Sequence, residues 1–587
     1  MDSELTAAAS VACKAEWLAR VKSANGRDGN YLAAYDLSMQ ALALWPDTLL
    51  FEHQAILALA RLGVLGRAIE WYRRIEREGR LPKPTDQDLA AEFAGLHGRL
   101  LKDLARVSSP GDAKRYRLES AQAYADSFHR LGTYYLAINA ASMYLSCGDS
   151  DRANLFAHHA LMLAAAQSPA DYWSDVTQAE ARLILRQPDA AAEMLRSAAA
   201  EVSRVRAATG NENLDQVAST RAQLTWVAAL VGAPLDILNN LPTPRILNWI
   251  ARPVSRSSKI SIDIPQGRTT IAFGALMSED DLEIAAALLA GGVKLHLVLP
   301  CEADLLATRI LAGRPDLAEK FVRIVSDNDA VEIMLVTKEG DPGDPAAQLL
   351  CQQQARGLAF LRARNLGVVP QLIYPGGDGM VFDVMPNENA DIMQVAHSPN
   401  PQGETLRQPH AIIFGDVHGF STLNESEQLV FIERIVGGFA KALKDCGSIE
   451  YAETAGDGLF IVLPDVLSAI DCCMRLQKIL LPESLSRMGL PGRLGIRLSA
   501  HVGPLYRRYD RVIRRHKFVG MEVIRTARIE PVTPVGEIFV TEQFAAMLAF
   551  TARDTFICEY AGLQPMAKNF GECRMYSLRR AHNASAA

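Results

Sequence analysis

Two aspartates in the C-terminal third of the sequence stand where carboxylates can act together. Asp416 ends the apolar run AIIFGD of residues 411–416, which is typical of a buried strand. Asp457 lies between Gly456 and Gly458 in SIEYAETAGDGLFIVL, where two strand-like runs joined by glycines indicate a hairpin. Either aspartate alone is more often a turn residue, so the interpretation depends on the pair.

The segment between the two aspartates predicts a helix. Asn424 followed by Glu427 is a helix-start pattern, and Gly447 is expected to end the helix. The apolar residues that repeat at helical spacing are Leu429, Ile432, Val436, Phe439 and Leu443. If the hairpin pairs beside the first strand, both aspartates meet at one edge of the sheet. Two hard oxygen ligands there suit Mg²⁺ or Mn²⁺, and two such ions ~4 Å apart can activate a hydroxyl and neutralise a phosphate.

Five segments, in order, resemble the motifs of one enzyme family. They are FGDVHGFS, ETAGDGLFIV, IRLSAHVGP, FVGMEVIRTARIE and AKNFGECRMYSL. Residues from 411 to about 578, under a third of the chain, resemble the catalytic domain of class III nucleotidyl cyclases, the adenylate and guanylate cyclases. The resemblance implies an α+β domain over residues 409–580, with a ferredoxin-like sheet and helices. It also implies formation of a 3′,5′-cyclic monophosphate and pyrophosphate from a nucleoside triphosphate.

The resemblance assigns roles to individual residues. Asp416 and Asp457 match the two aspartates that bind two Mg²⁺ or Mn²⁺ ions per site. Arg528 matches the arginine that stabilises the reacting phosphorus, and Lys568 matches a lysine that binds the terminal phosphates. The turn whose backbone amides match the triphosphate cradle comprises Val417, His418, Gly419, Phe420 and Ser421. Family members bind substrate between two such domains, so this chain, with one, is expected to form a homodimer.

Two positions match the residues that read the base in the family. Glu453 stands where adenylate cyclases carry lysine and guanylate cyclases carry glutamate. Lys517 occupies the second such position, three residues before Gly520. A carboxylate can accept from guanine N1 and N2, and an ammonium can donate to O6. Adenine and uracil also offer a donor and an acceptor, so the pair does not exclude ATP or UTP as the substrate. Alternatively, Glu453 pairs with a cation across the sheet.

Other positions depart from the family pattern. Ile524 stands where the family has an asparagine that binds the ribose, and Ile524 cannot hydrogen-bond. Arg525 is adjacent, but neighbours on one strand face opposite ways, so Arg525 is a poor substitute. The run LYRRYDRVIRRHK replaces the usual glycines before Gly520 and predicts a solvated hairpin arm at the dimer interface, without nucleic-acid binding.

The length and composition of the whole chain limit which kinds of protein it can be. The chain has 587 residues, which is more than a single hydrophobic core can accommodate, so several domains are expected. A net charge of −6 gives no reason to expect a nucleic-acid partner. The nine cysteines are scattered without a CxxC pair, which suggests buried thiols in a reducing compartment. The acidic N-terminus and the absence of a long apolar run predict a cytoplasmic protein without a membrane span.

The N-terminal part predicts an all-α helical repeat domain, residues 1–241. Alanine-rich and leucine-rich segments at helical spacing are broken at Pro46, Gly63, Gly148 and Pro188. The pattern resembles degenerate tetratricopeptide repeats, whose period is ~34 residues. Such repeats either only scaffold or offer a concave surface to a protein or small-ligand regulator.

The middle of the chain alternates short β-rich runs with helical stretches. TTIAFGAL, VKLHLVLP, AVEIMLV and VVPQLIYP predict a Rossmann-like α/β domain with a parallel sheet, residues 260–375. No GxGxxG follows the first run, so Gly274 alone does not indicate a nucleotide site. The basic stretch LPTPRILNWIARPVSRSSK before it reads as a connection, and residues 376–408 read as a linker.

The sequence thus predicts a multidomain nucleotidyl cyclase regulated by its N-terminal domains. Two alternatives stay open: a catalytically weak cyclase-like nucleotide-binding module, and a scaffold whose main function lies in the repeats.

Overall fold

The chain forms two compact units, the first built mainly from Met1–Thr243 and the second from the rest. This computed structural model describes residues 2–26, 30–83, 85–209, 214–249, 269–312, 314–327, 330–338, 340–373, 381–383, 407–551 and 555–581. None of the described helices combines the length and apolar character needed to cross a membrane.

The first unit is a run of helices, in which each helix packs on the next except the last, which packs on the helix two before it. They are α1 (Asp2–Asn25), α2 (Tyr31–Leu44), α3 (Leu49–Arg61), α4 (Leu65–Arg77), α5 (Gln87–Val107), α6 (Pro110–Leu131), α7 (Tyr134–Ser146), α8 (Ser150–Ala165), α9 (Tyr172–Ile184), α10 (Pro188–Thr209) and α11 (Leu214–Val231). The predicted breaks are confirmed: Gly63 and Gly148 end helices with left-handed backbones, and Pro188 opens α10. Buried alanines such as Ala55 and Ala141 let the helices approach closely.

The second unit begins with a six-stranded sheet. Its strands are β1 (Arg245–Trp249), β2 (Thr270–Ala275), β3 (Lys294–Leu299), β4 (Val331–Leu335), β5 (Gln371–Ile373) and β6 (Val381–Asp383), in the order β4-β3-β2-β1-β5-β6. All neighbours pair in parallel except β6, which is antiparallel to β5. The helices between the strands are α12 (Glu279–Ala290), α13 (Ala303–Ile310), α14 (Ala318–Ser326) and α15 (Pro345–Leu366).

This sheet corrects two expectations. The predicted connection before residue 260 contains β1, which lies between β2 and β5 in the sheet. Ile246 and Leu247 of this strand are fully buried, and the Asn248 amide donates to the Phe273 carbonyl at 3.0 Å. The predicted linker contains β6, while its residues 376–380 and 384–406 lie outside the described part. The sheet is parallel α/β as expected, but its strand order differs from the doubly wound dinucleotide-binding fold.

A second, mixed sheet carries the candidate site. Its strands are β7 (Gln408–His418), β8 (Tyr451–Ala455), β9 (Gly458–Leu463), β10 (Gly495–Asp510), β11 (Arg515–Val519), β12 (Ile538–Thr541), β13 (Phe556–Pro565) and β14 (Glu572–Arg580). The order is β13-β14-β12-β10-β7-β9-β8, with β11 paired to the far half of β10. That β10–β11 hairpin is the predicted arm. The helices are α16 (Glu425–Val430), α17 (Gly437–Cys446), α18 (Val466–Ile479), α19 (Pro482–Met488), α20 (Met521–Ile529) and α21 (Glu542–Thr551).

The helix predicted after β7 forms, but its buried face is displaced. Asn424 and Glu427 make the expected capping box, and Gly447 ends α17. Between α16 and α17, residues Phe431–Val436 are a π-helix, which inserts an extra residue into the turn. The buried face therefore includes Phe431 and Ile435 as well as Phe439, which was predicted, whereas Leu429 and Ile432 of the predicted stripe are exposed.

Candidate functional site

The two aspartates reach the same edge of the second sheet, as the hairpin pattern predicted. In the antiparallel pairing of β7 with β9, Gly415 faces Leu459, and the β8–β9 turn holds Asp457 next to Gly458. Asp416 and Asp457 therefore extend the ends of neighbouring strands. Their carboxyl groups lie within hydrogen-bonding reach of each other. Gly456 adopts φ +67°, a left-handed conformation that suits glycine and closes this turn.

Glu530 adds a third carboxyl group to this edge. It lies two residues after Arg528, just beyond α20, and its side chain is 15% exposed. Burial together with the nearby Asp416 and Asp457 raises the pKa of Glu530 to about 7, although Arg497 opposes the shift. Burial and the Asp416 carboxylate also raise the pKa of Asp457. Carboxylates crowded in this way repel one another unless a cation lies among them.

Arg497 is the cation that the protein itself supplies, and sequence reasoning missed it. Its guanidinium hydrogen-bonds Asp416, which it faces in the β7–β10 pairing, and it lies 3.0 Å from Glu530. The Arg497 Nε is buried without a hydrogen-bond partner among the described residues. The signal that would have found Arg497 is the register between two strands far apart in sequence.

The donor set at this edge fits divalent cations. Hard carboxylate oxygens from Asp416 and Asp457, with like charges held close together, are the ligands that Mg²⁺ and Mn²⁺ prefer. Within the described ranges, no group of three or more histidine, cysteine, aspartate or glutamate side chains is arranged as a complete metal site. A metal held by the two aspartates would complete its shell with water or ligand oxygens, because Mg²⁺ usually keeps several waters.

The turn after β7 is the segment predicted to cradle the triphosphate. Gly419 has φ +90°, and residues Phe420–Thr422 form one turn of 3₁₀-helix. Arg493 fixes this turn, donating from Nε to the Thr422 hydroxyl at 3.0 Å and from Nη2 to the Thr422 carbonyl at 3.2 Å. Of the other predicted cradle residues, Val417 is buried, whereas His418 and Ser421 are exposed.

Glu453 and Lys517, the predicted base-reading pair, are in direct contact. The Lys517 Nζ lies 3.2 Å from Glu453 Oε1. Two further residues contact the other carboxylate oxygen: Arg515 Nη2 at 3.2 Å and the Tyr451 hydroxyl at 2.5 Å. Although burial opposes the shift, Tyr451, Lys517 and Arg515 hold the pKa of Glu453 below its usual value. Glu453 is therefore an ionised carboxylate with a cation beside each oxygen. The alternative interpretation, in which Glu453 pairs with a cation across the sheet, thus describes a contact that is present.

The segment with Arg528 is a helix, which corrects the assumption of a strand. In α20, Ile524 is 41% exposed and Arg525 turns inward, with its Nη1 3.3 Å from Glu522. Arg525 is therefore engaged in an ion pair, and no polar side chain replaces the ribose-binding asparagine at position 524. Arg528 is half-buried near the end of α20. No hydrogen bond or ion pair joins it to Asp416 or Asp457 within the described chain.

Lys568 stands in a strained turn between β13 and β14. Lys568 and Asn569 have φ +60° and +56°, so two consecutive residues other than glycine are left-handed. Such conformations cluster at functional sites, and Lys568 is exposed there. The turn packs against α20, which places Lys568 and Arg528 on neighbouring elements.

Comparisons with known proteins match two separate parts of the chain. A family model described as Tetratricopeptide Repeats-Sensor matches residues 30–144, which include α2 to α6. No curated protein has significant sequence similarity to the chain.

Solved structures that resemble part of the chain include cyclase domains. The adenylyl cyclase CyaB from P. aeruginosa aligns at 18% identity and a TM-score of 0.27, over 30% of this chain and 96% of that one. The guanylate cyclase domain of RhGC from Catenaria anguillulae, in complex with GTP, aligns at 17% identity and 0.26, over 30% and 97%. The guanylyl cyclase Cya2 aligns at 21% identity and 0.25, over 30% and 93%.

Proposed function

We propose that the C-terminal domain is a nucleotidyl cyclase that converts a nucleoside triphosphate into its 3′,5′-cyclic monophosphate and pyrophosphate. The observation that carries the proposal is the meeting of Asp416 and Asp457 at one sheet edge, beside the turn predicted to hold phosphate. The five cyclase-like motifs support it independently of that geometry.

In the proposed reaction, the 3′-oxygen of the ribose bonds to the α-phosphorus, the bond from that phosphorus to the β-phosphate oxygen breaks, and the 3′-hydroxyl proton is lost. Two Mg²⁺ or Mn²⁺ ions, held by Asp416 and Asp457, would supply hydroxyl activation and charge neutralisation. The turn from Val417 to Ser421 holds the phosphates with its amides, and Lys568 binds the terminal phosphates.

Arg528 acts where charge grows on the phosphorus, so it lowers the barrier more than it tightens substrate binding. Because Arg528 does not touch the aspartates of its own chain, we assign it to the site of the second subunit in a homodimer. Glu453 and Lys517 read the base, and their charges favour guanine: the carboxylate accepts from N1 and N2, and the ammonium donates to O6.

One assay tests the proposal. Purified protein is incubated separately with ATP, GTP, CTP and UTP in the presence of Mn²⁺, and the products are resolved by mass. We expect a cyclic monophosphate and pyrophosphate in equal amounts, with GTP as the best substrate. Absence of a cyclic product from all four nucleotides would overturn the enzyme assignment.

A second candidate is a cyclase-like module that binds nucleotide with little turnover. Ile524 favours it, because an exposed isoleucine cannot hydrogen-bond the ribose and Arg525 is paired elsewhere. Calorimetry separates the two functions: tight binding of GTP with Mn²⁺, without product, identifies the binding module. In either case we assign a regulatory role to the helical repeats, in line with the sensor description of the matching family.

A further inference from the structure

Two neighbouring side chains beside the carboxylate edge each hold a buried polar atom that has no hydrogen-bond partner among the described residues. These atoms are Nε of Arg497 and Oε1 of Glu530. The Glu530 Oε1 lies 3.0 Å from Nη2 of Arg497, but the two groups are not aligned as a hydrogen bond. Because buried polar atoms are nearly always hydrogen-bonded, this pair indicates a second arrangement in which the two side chains satisfy each other.

Asp416 holds Arg497 in its present position. The Nη2 that lies near Glu530 donates its hydrogen bond to Asp416, the residue opposite Arg497 in the β7–β10 pairing. Nε and Nη2 form one edge of the guanidinium, and a guanidinium pairs best with a carboxylate through two parallel bonds from such an edge. With Nη2 directed to Asp416, this paired contact with Glu530 does not form. A rotation of Arg497 towards Glu530 supplies an acceptor to Nε and a donor to Oε1.

Arg497 and a divalent ion compete for the same carboxylate. Among the described residues, Arg497 is the cation that pairs with Asp416, and both side chains are about a quarter exposed. A guanidinium and a divalent ion on one carboxylate are like charges a few ångströms apart, and they repel each other. Movement of Arg497 to Glu530 relieves this repulsion while Arg497 keeps a carboxylate partner.

We propose that Arg497 has two positions: it pairs with Asp416 when no metal is bound, and it moves to Glu530 when Asp416 binds a divalent ion. In the first position Arg497 offsets the repulsion among Asp416, Asp457 and Glu530. In the second, Glu530 is a positioning residue that holds Arg497 away from the metal. The inference rests on the proposed function for the metal itself, and it assigns roles to two residues that the motifs left without one.

The test measures the binding of Mn²⁺ alone, by electron paramagnetic resonance of the unbound ion, so it does not depend on turnover. Burial raises the pKa of Glu530 to about 7, so the titrations are made at pH 8, where Glu530 is ionised. Arg497→Gln removes the competing charge, and we expect the Kd for Mn²⁺ to fall about 10-fold. Glu530→Gln leaves Arg497 on Asp416, and we expect the Kd to rise by a similar factor.

The double variant shows whether Glu530 acts through Arg497. If it does, Glu530→Gln should change the Kd by less than about twofold in the Arg497→Gln protein, because the group that it receives is gone. Arg475→Gln is the matched control: it alters an exposed pair with Asp471 on α18 and should leave the Kd unchanged. A crystal structure of the wild type with Mn²⁺ should show Nε and Nη2 of Arg497 bonded to Glu530 and not to Asp416.

Several results would overturn the inference. One is an Arg497→Gln protein that binds Mn²⁺ no more tightly than the wild type. Another is a Glu530→Gln effect of equal size with and without Arg497, which would mean that Glu530 attracts the ion directly. A third is Arg497 still bonded to Asp416 in the Mn²⁺-bound structure, which also decides the matter if Arg497→Gln does not fold.

The experiment separates failure of the inference from failure of the proposed function. If the wild type binds Mn²⁺ but makes no cyclic product, the proposed function fails, and the Mn²⁺ affinities still decide whether Arg497 moves. A wild type that does not bind Mn²⁺ overturns both.

Discussion

Arg497 and Asp416 face each other across the antiparallel pair of β10 and β7, and the guanidinium hydrogen-bonds the carboxylate. The same guanidinium lies 3.0 Å from Glu530, which follows α20. One cation thus joins the strand that carries Asp416 to the end of the helix that carries Arg528. The sheet edge at Asp416 and this helix are therefore connected within one chain.

Replacing Asp416 or Asp457 should abolish most of the cyclase activity while the protein stays folded. For Asp416→Asn and Asp457→Asn we expect cyclase activity to fall at least about 100-fold, because several kcal/mol of charge stabilisation is lost. The melting temperature of Asp457→Asn should not fall, since the change removes repulsion from Asp416. Calorimetry with Mn²⁺ should detect weaker metal binding. Asp471→Asn, which alters an exposed pair with Arg475, is the control. Activity like the wild type in Asp457→Asn would contradict the two-metal assignment.

Subunit mixing tests the shared site. Asp416→Ala and Arg528→Ala proteins should each be inactive, and their heterodimer should contain one site with both residues intact. Random mixing then recovers about a quarter of the wild-type sites, because half of the dimers are mixed and each has one working site of two. Affinity tags on the two variants confirm that heterodimers form. Mixed dimers without recovered activity would place Arg528 outside a shared site.

Exchange of the base-reading charges should alter substrate preference. Adenine presents an unprotonated N1 to Glu453, so it cannot donate there as guanine N1 does; a lost hydrogen bond to a charged group costs about 1.5–3 kcal/mol, or about 10- to 150-fold in preference. Glu453→Lys with Lys517→Asp should therefore favour ATP. Because Arg515 lies 3.2 Å from Glu453, it would repel the new lysine, and adding Arg515→Ser should strengthen the change. The measurement is the ratio of kcat/KM for GTP and ATP, and a ratio unaffected by all three changes would be evidence against base reading here.

Gly503 should tolerate no side chain. A Cβ built on it lies 2.5 Å from Glu522 Cγ and 3.3 Å from His501 Nε2. Gly503→Ala should lower the free energy of unfolding by about 1–3 kcal/mol through overpacking. It should also lower kcat, because Glu522 belongs to α20, the helix that carries Arg528. Gly492→Ala, where a Cβ has no neighbour within 4 Å, should leave both quantities unchanged. Urea denaturation and steady-state kinetics give the two values; a Gly503→Ala protein as stable and active as Gly492→Ala would contradict the close packing.

The meeting of Asp416 and Asp457 was predictable because it depends on local signals. A strand, a capped helix and a glycine hairpin follow one another along the chain, and sequential antiparallel strands tend to pair. Arg497 and Glu530 were not predictable in this way. Their approach to Asp416 depends on the register of β10 and on the end of α20, which local patterns do not specify.

The missed elements have similar causes. β1 is short, and Arg245 and Asn248 interrupt its apolar run, so only its burial between β2 and β5 identifies it. A strand was expected in the segment of α20, and its β-branched residues Val523 and Ile524 do favour strands. In the structure it is a helix, and the hydroxyls of Thr526 and Ser499 donate to backbone carbonyls of that helix.

Glu453 also has a consequence for how a nucleotide would enter. Its carboxylate is already fully engaged by Tyr451, Arg515 and Lys517 before any base arrives. An incoming base therefore competes with internal partners, and it gains only the difference between its own hydrogen bonds and those it displaces. Selectivity at Glu453 would then depend on exchange of partners: a base that cannot replace the Lys517 ammonium would be excluded without any steric barrier.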